Sequence, residues 1–122
     1  MATVLIVDDS PTELHVFKGQ LEKAGFDVLT SESGEEGLKV AKDSKPDVIV
    51  MDVVMPGMSG FQATRQLAKD SETQDIPVVI LTTKDQETDK IWGMRQGAIA
   101  YLVKPVKEET LVAKVKEAME KA

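Results

Sequence analysis

Val4-Leu5-Ile6-Val7-Asp8-Asp9-Ser10-Pro11-Thr12-Glu13 carries a strand, an acidic turn and a helix start in ten residues. The four apolar residues run without alternation. Such runs suit a central strand covered on both faces, as in a parallel sheet. Asp8 and Asp9 end the run. Ser10 is then placed to accept from a free backbone N–H, Pro11 occupies a position that needs no N–H, and Glu13 can close a capping box. Leu14, Phe17, Leu21 and Ala24 follow at helical spacing on one face, and Gly25 ends the helix.

The same alternation recurs along the chain. Val28-Leu29, Val48-Ile49-Val50-Met51, Val78-Val79-Ile80-Leu81 and Tyr101-Leu102-Val103 read as four further strands, the first and last of these nearer an edge. Between them lie helical patterns. Ser33 to Glu36 reads as a second capping box, opening a helix with Leu38 and Ala41 inward that stops before Pro46. Gly37 inside it costs about 1 kcal/mol relative to Ala. Ser59 or Gly60 opens a third helix with Phe61, Thr64, Leu67 and Ala68 inward. Asp85 to Gln96 predicts a fourth, with Thr88, Ile91 and Met94 packed, and Gly97 ends it. Trp92 lies beside that stripe and is assigned to the core edge, with a partner-facing role as the alternative. Lys107 to Lys121 predicts the fifth, burying Leu111, Val115 and Ala118 or Met119. Strands and helices alternating with short, right-handed connections give a doubly wound α/β domain with a parallel sheet and helices on both faces.

Composition agrees with this and narrows function. The chain has 122 residues, 42% of them hydrophobic and 30% charged, which suits one domain, residues 1–122, around one core. The net charge is −6 and the 15 basic residues are scattered, which argues against nucleic acid or an anionic membrane as partner. There is no cysteine and His15 is the only histidine, so thiolate and multi-histidine metal sites are excluded. His15 itself reads as an exposed helical residue. Met1 to Asp8 has neither a basic leader nor a long apolar segment, so no secretory signal is expected. No stretch approaches the roughly 20 apolar residues of a membrane span.

In a parallel sheet all strands finish on one side. The residues that follow them here are Asp8 and Asp9, Asp52, Thr82 and Thr83, and Lys104. Open α/β sheets bind ligands at that edge. Three crowded carboxylates repel one another, and either a hard cation or the Lys104 ammonium can relieve this. An all-oxygen donor set suits Mg²⁺, with Mn²⁺ able to substitute. A carboxylate beside such a cation can attack a phosphoryl group, with Lys104 and the Thr82 hydroxyl available to the phosphoryl oxygens. Singly, each residue has an ordinary reading: a loop acid, a helix cap, a surface lysine. Their coincidence at one edge is what suggests chemistry.

Over essentially its whole length the sequence resembles the receiver domains of two-component response regulators. Val4 to Pro11, Met51-Asp52 with Met55-Pro56-Gly57-Met58-Ser59-Gly60, Thr82-Thr83, Gly97-Ala98, Tyr101 and Lys104-Pro105 carry the resemblance. Within the family, Gly60 to Leu67 and Thr82 to Lys90 are similar to the stand-alone regulators of type IV pili and twitching motility.

The resemblance implies a flavodoxin-like fold, with five strands in order 2-1-3-4-5 and five helices. It implies phosphorylation of Asp52 by a CheA-like histidine kinase in the cytoplasm. Asp9, Asp52 and the backbone carbonyl of Val54 would ligate Mg²⁺, with Asp8 acting mainly through water. Lys104, Thr82 and Tyr101 would form the switch, Tyr101 turning inward as Thr82 moves. A downstream protein would dock on the helix 4, strand 5, helix 5 face, with Lys90, Trp92, Tyr101 and Val106 as candidate contacts, on a monomer or weak dimer. Val54 and Lys84 flank the path of the attacking water in this family and would tune dephosphorylation. Lys107 stands where many relatives have an acidic cap, so the last helix is expected to start weakly.

Other readings make different demands. A small Mg²⁺-dependent phosphohydrolase needs an acid/base group near the phospho-aspartate, and position 54 is Val. A binding module without phosphotransfer would not need the full set Asp8, Asp9, Asp52, Thr82 and Lys104. A flavin protein needs a first loop that cradles phosphate, and two acids stand there.

Overall fold

The computed structural model describes residues 2–121. Five strands, β1 Thr3–Val7, β2 Asp27–Ser31, β3 Val48–Met51, β4 Val78–Thr82 and β5 Ala100–Val103, alternate with five helices. These are α1 Pro11–Lys23, α2 Gly34–Ser44, α3 Gly60–Lys69, α4 Glu87–Arg95 and α5 Glu108–Lys121. The sheet is parallel throughout, in the order β2-β1-β3-β4-β5. Both the doubly wound class and the expected strand order are therefore present.

Alternate residues of each central strand serve opposite faces. Val4 and Ile6 of β1, with Val48, Val50, Val79 and Leu81, meet Leu14, Phe17 and Leu21 of α1 and Leu111, Val115 and Ala118 of α5. Leu5 and Val7, with Ile49, Met51 and Ile80, meet Ala41 of α2 and Ala63 and Leu67 of α3. Truncating a fully buried residue such as Leu5 or Leu67 to Ala would cost about 2–5 kcal/mol.

Gly37 has a packing reason. A Cβ there would lie 2.8 Å from Val7 Cγ2, so the glycine lets α2 settle closely onto β1, offsetting its poor helix propensity. α3 turns Ala63 rather than Ala68 inward, and Ala68 stays exposed.

The fourth helix departs most from the sequence reading. It begins at Glu87, and its only buried residue is Gly93. Thr88 is exposed, and Ile91, Trp92 and Met94 are each nearly half exposed. Gly93 faces the sheet because a Cβ at that point would stand 2.8 Å from Ile80 Cδ1 and 3.0 Å from the Tyr101 ring. A helix docked through a glycine leaves its larger apolar residues outside.

Candidate functional site

The strand ladders run one residue past the strands, and this fixes the site. Asp8 N–H donates to the Ser31 carbonyl at 3.0 Å, Asp52 N–H to the Val7 carbonyl at 2.9 Å, and Lys104 N–H to the Thr82 carbonyl at 2.8 Å. The three side chains thus leave one carboxyl edge in defined register. Strand order reverses between β1 and β3, so the crevice beyond their ends is the expected ligand position. Carboxylate oxygens of Asp8, Asp9 and Asp52 lie there within 4.8 Å of one another. Asp8 and Asp52 are buried and Asp9 is exposed.

Each buried acid is partly satisfied by backbone. Asp8 Oδ1 accepts from Ser10 N–H at 2.9 Å, and Asp52 Oδ1 accepts from Val53 N–H at 2.8 Å. Lys104 supplies the counter-charge. Its ammonium donates to Asp8 Oδ2 at 2.9 Å and to Glu13 Oε2 at 3.0 Å, and stands 3.6 Å from Asp52 Oδ2. The Phe17 ring lies beneath it, 5.7 Å away.

The charges follow from this packing. Burial holds the Asp52 carboxyl above the usual carboxylate range and Asp8 adds to it, while Lys104, the Val53 N–H and the Thr82 hydroxyl oppose. Burial works against the Lys104 charge. The hydrogen bonds to Asp8 and Glu13 and the charge of Asp52 outweigh it, leaving the ammonium above its ordinary value. Four carboxylates around one ammonium leave the cluster short of positive charge. An all-oxygen donor set with two buried members fits a divalent cation.

Glu13 was assigned only a capping role by the sequence. Ser10 does accept from Glu13 N–H, at 3.3 Å, but the Glu13 carboxylate turns to Lys104 instead of closing the box. Glu36 likewise donates its N–H to Ser33 Oγ at 3.1 Å without the reciprocal bond. A box does close between Ser59 and Gln62, at the start of α3. The signal for Glu13 was its place: an acid in the first turn of the helix that follows the acidic strand end shares an edge with Lys104.

The remaining candidates sit around this centre. Thr82 is fully buried at the end of β4. Tyr101 donates from its hydroxyl to the Lys84 carbonyl at 2.8 Å, tying β5 to the loop after β4. Burial, with the charges of Asp89, Asp85 and Asp52, pushes its pKa up to about 12. The Lys84 ammonium is 3.8 Å from Asp89, Val54 is exposed beside the acids, and His15 is exposed on α1. Lys90 is half-buried, and Val106 is half-buried against the core. No helix among the described residues is long and apolar enough to cross a membrane.

Residues 4–116 match the response regulator receiver domain. The chain belongs to the response regulator receiver family. This receiver is 63% identical to the protein PilH of Pseudomonas aeruginosa over 112 residues, covering 92% of this chain and 93% of that protein. It is 40% identical to the phosphate regulon transcriptional regulatory protein PhoB of the same organism, covering 93% of this chain but 50% of that one. Among solved structures, the chemotaxis protein CheY4 of Vibrio cholerae superposes with a TM-score of 0.91 at 36% identity, over 97% of this chain and 98% of that chain. Receivers are phosphoacceptor modules of two-component signalling rather than metabolic enzymes, and the acidic cluster at this receiver's sheet edge accords with that role.

Proposed function

We propose that Asp52 accepts a phosphoryl group from a phosphohistidine of a CheA-like kinase, and that the modified receiver changes its fit to a partner in control of type IV pili and twitching motility. The observation that carries this reading is the meeting of Asp8, Asp9 and Asp52 oxygens within 4.8 Å beside the Lys104 ammonium.

In the transfer, an Asp52 carboxylate oxygen attacks phosphorus, the P–N bond to the kinase imidazole breaks, and the imidazole nitrogen keeps the electron pair. Asp9, Asp52 and the Val54 backbone carbonyl would hold Mg²⁺, with Asp8 acting through water and Mn²⁺ able to substitute. A cation bound there supplies charge neutralisation between nucleophile and phosphoryl oxygens. Lys104 moves from its carboxylate partners toward a phosphoryl oxygen, and the Thr82 hydroxyl donates to another. Phosphorylation adds about −1.5 to −2 charge, enough to bias two packings a few kcal/mol apart.

Tyr101 then turns into the space Thr82 leaves, and the face of α4, β5 and α5 carries the change to a docking protein. Trp92, nearly half exposed on α4, supports that face as the contact, with Lys90 on the same helix and Val106 after β5 as further candidates. The pilus assignment rests on the similarity to PilH together with the Gly60–Leu67 and Thr82–Lys90 stretches. The chain is proposed to work in the cytoplasm as one receiver over residues 1–122, a monomer or weak dimer, with no nucleic-acid partner. Val54 and Lys84 set the acyl phosphate lifetime, so Val54→Asn and Lys84→Ala are expected to alter it. Equal lifetimes in all three proteins would remove that role.

The test is phosphotransfer from candidate kinases carrying labelled phosphohistidine. Label should pass to the native receiver and not to Asp52→Ala. Equal labelling of both would end the assignment of Asp52.

A further inference from the structure

The geometry points to Glu13 as a positioning residue that holds Lys104 in the unmodified receiver and must release it when Asp52 takes a phosphoryl group. This rests on the reading of Asp52 as the acceptor.

An ammonium has three N–H donors. Asp8 takes one at 2.9 Å and Glu13 a second at 3.0 Å, while Asp52 at 3.6 Å is beyond hydrogen-bond length. The two partners differ in mobility. The Asp8 side chain is 3% exposed and also bound to Ser10 N–H, so it has no alternative environment. The Glu13 side chain is 40% exposed and can exchange the ammonium for water. Its backbone is anchored, since Glu13 N–H is bound to Ser10 Oγ at the helix start. The carboxylate therefore reaches Lys104 from a fixed point through two methylenes.

When an Asp52 oxygen attacks acetyl phosphate, the P–O bond to acetate breaks and acetate leaves with the electron pair. The third N–H has no partner within hydrogen-bond length, but Asp52 stands 3.6 Å away, so the ammonium must shift toward the new phosphoryl oxygens and away from the Glu13 carboxylate that holds it. Glu13 thus stabilises the unmodified state over the modified one, and sets how readily Lys104 becomes available.

The experiment measures the initial rate of acetyl phosphate labelling by intact mass, with Mg²⁺, in native, Glu13→Gln and Glu13→Asp proteins, each with and without Lys104→Met. A partly exposed ion pair of this kind corresponds to a rate gain of about two- to fivefold when it is removed. Glu13→Gln removes the charge. Glu13→Asp keeps the charge but is one methylene too short, so both should gain, and neither should gain in the Lys104→Met background. Without metal, the Lys104 ¹⁵N ammonium resonance should shift in both single variants, a readout independent of labelling. A gain in Glu13→Gln alone would mean only that an acid near the site repels the anionic donor, and would overturn the proposal. So would a gain that survives Lys104→Met, or unchanged rates. A native protein that takes no phosphoryl group would instead defeat the acceptor reading.

Discussion

Replacing Asp52 by Asn should stabilise the metal-free protein at neutral pH. Oxygens of Asp8 and Asp52 within 4.8 Å repel by about 3.5 kcal/mol at an effective dielectric of about 20. Lys104, 3.6 Å away, attracts Asp52 by about 4.6 kcal/mol on the same footing, but its ammonium is shared with Asp8 and Glu13. On these figures the attraction exceeds the repulsion by about 1 kcal/mol, a margin removed once the ammonium is divided among three carboxylates. What remains is the burial of a carboxylate that is 8% exposed, and this gives the sign.

A gain of about 1 kcal/mol, the scale of an ordinary single substitution, is expected, or about 3–5 °C in melting temperature. The pH dependence follows from the raised Asp52 pKa. The protonated side chain contributes stability that is fully present below the ordinary carboxylate range, around pH 4, and is lost as pH rises through the raised folded value. Asn mimics the neutral form at every pH. The gap between variant and native should therefore be widest above the raised folded value and close as pH falls toward 4. Millimolar Mg²⁺ should narrow it from the other side, because the native site gains more from a bound cation. Urea unfolding across pH, with and without Mg²⁺, measures all three effects. A native protein more stable than Asp52→Asn in chelator at pH 7 would show that burial of the Asp52 carboxylate carries no net cost.

Gly60→Ala should cost more than about 2 kcal/mol, because the new Cβ would overlap the Asp52 carbonyl oxygen and stand 2.7 Å from its carbon. Backbone atoms cannot step aside, so a urea midpoint near native would contradict the packing described. Tyr101→Phe removes the hydroxyl donated to the Lys84 carbonyl, costing about 0.5–1.5 kcal/mol. Amide exchange in the loop after β4 should accelerate, and unchanged exchange would deny that the tyrosine ties it down. Trp92→Ala should change stability by no more than about 0.5 kcal/mol, as for a surface residue, while weakening partner binding. A loss of several kcal/mol would return Trp92 to the core.

Most of the fold was legible because continuous runs such as Val4–Val7 and Val48–Met51 have few alternatives to a two-sided strand. The site was legible for the same reason: once the strands are parallel, Asp8, Asp52, Thr82 and Lys104 must share an edge. Helix α4 was misjudged because periodicity reports where apolar residues lie, not which face docks. Ile91, Trp92 and Met94 looked inward, yet contact with Ile80 and Tyr101 is close enough to demand Gly93. The Glu13 carboxylate was misassigned because a local cap and a distant ammonium compete for it. The ammonium is 91 residues away in sequence, and only the fold brings it within 3.0 Å.

Intact mass after incubation with acetyl phosphate and Mg²⁺ tests the acceptor most directly. The native chain should gain one phosphoryl group, and Asp52→Ala and a chelator-treated control should gain none. The same gain in Asp52→Ala would contradict this, because the group would then sit on a residue other than Asp52.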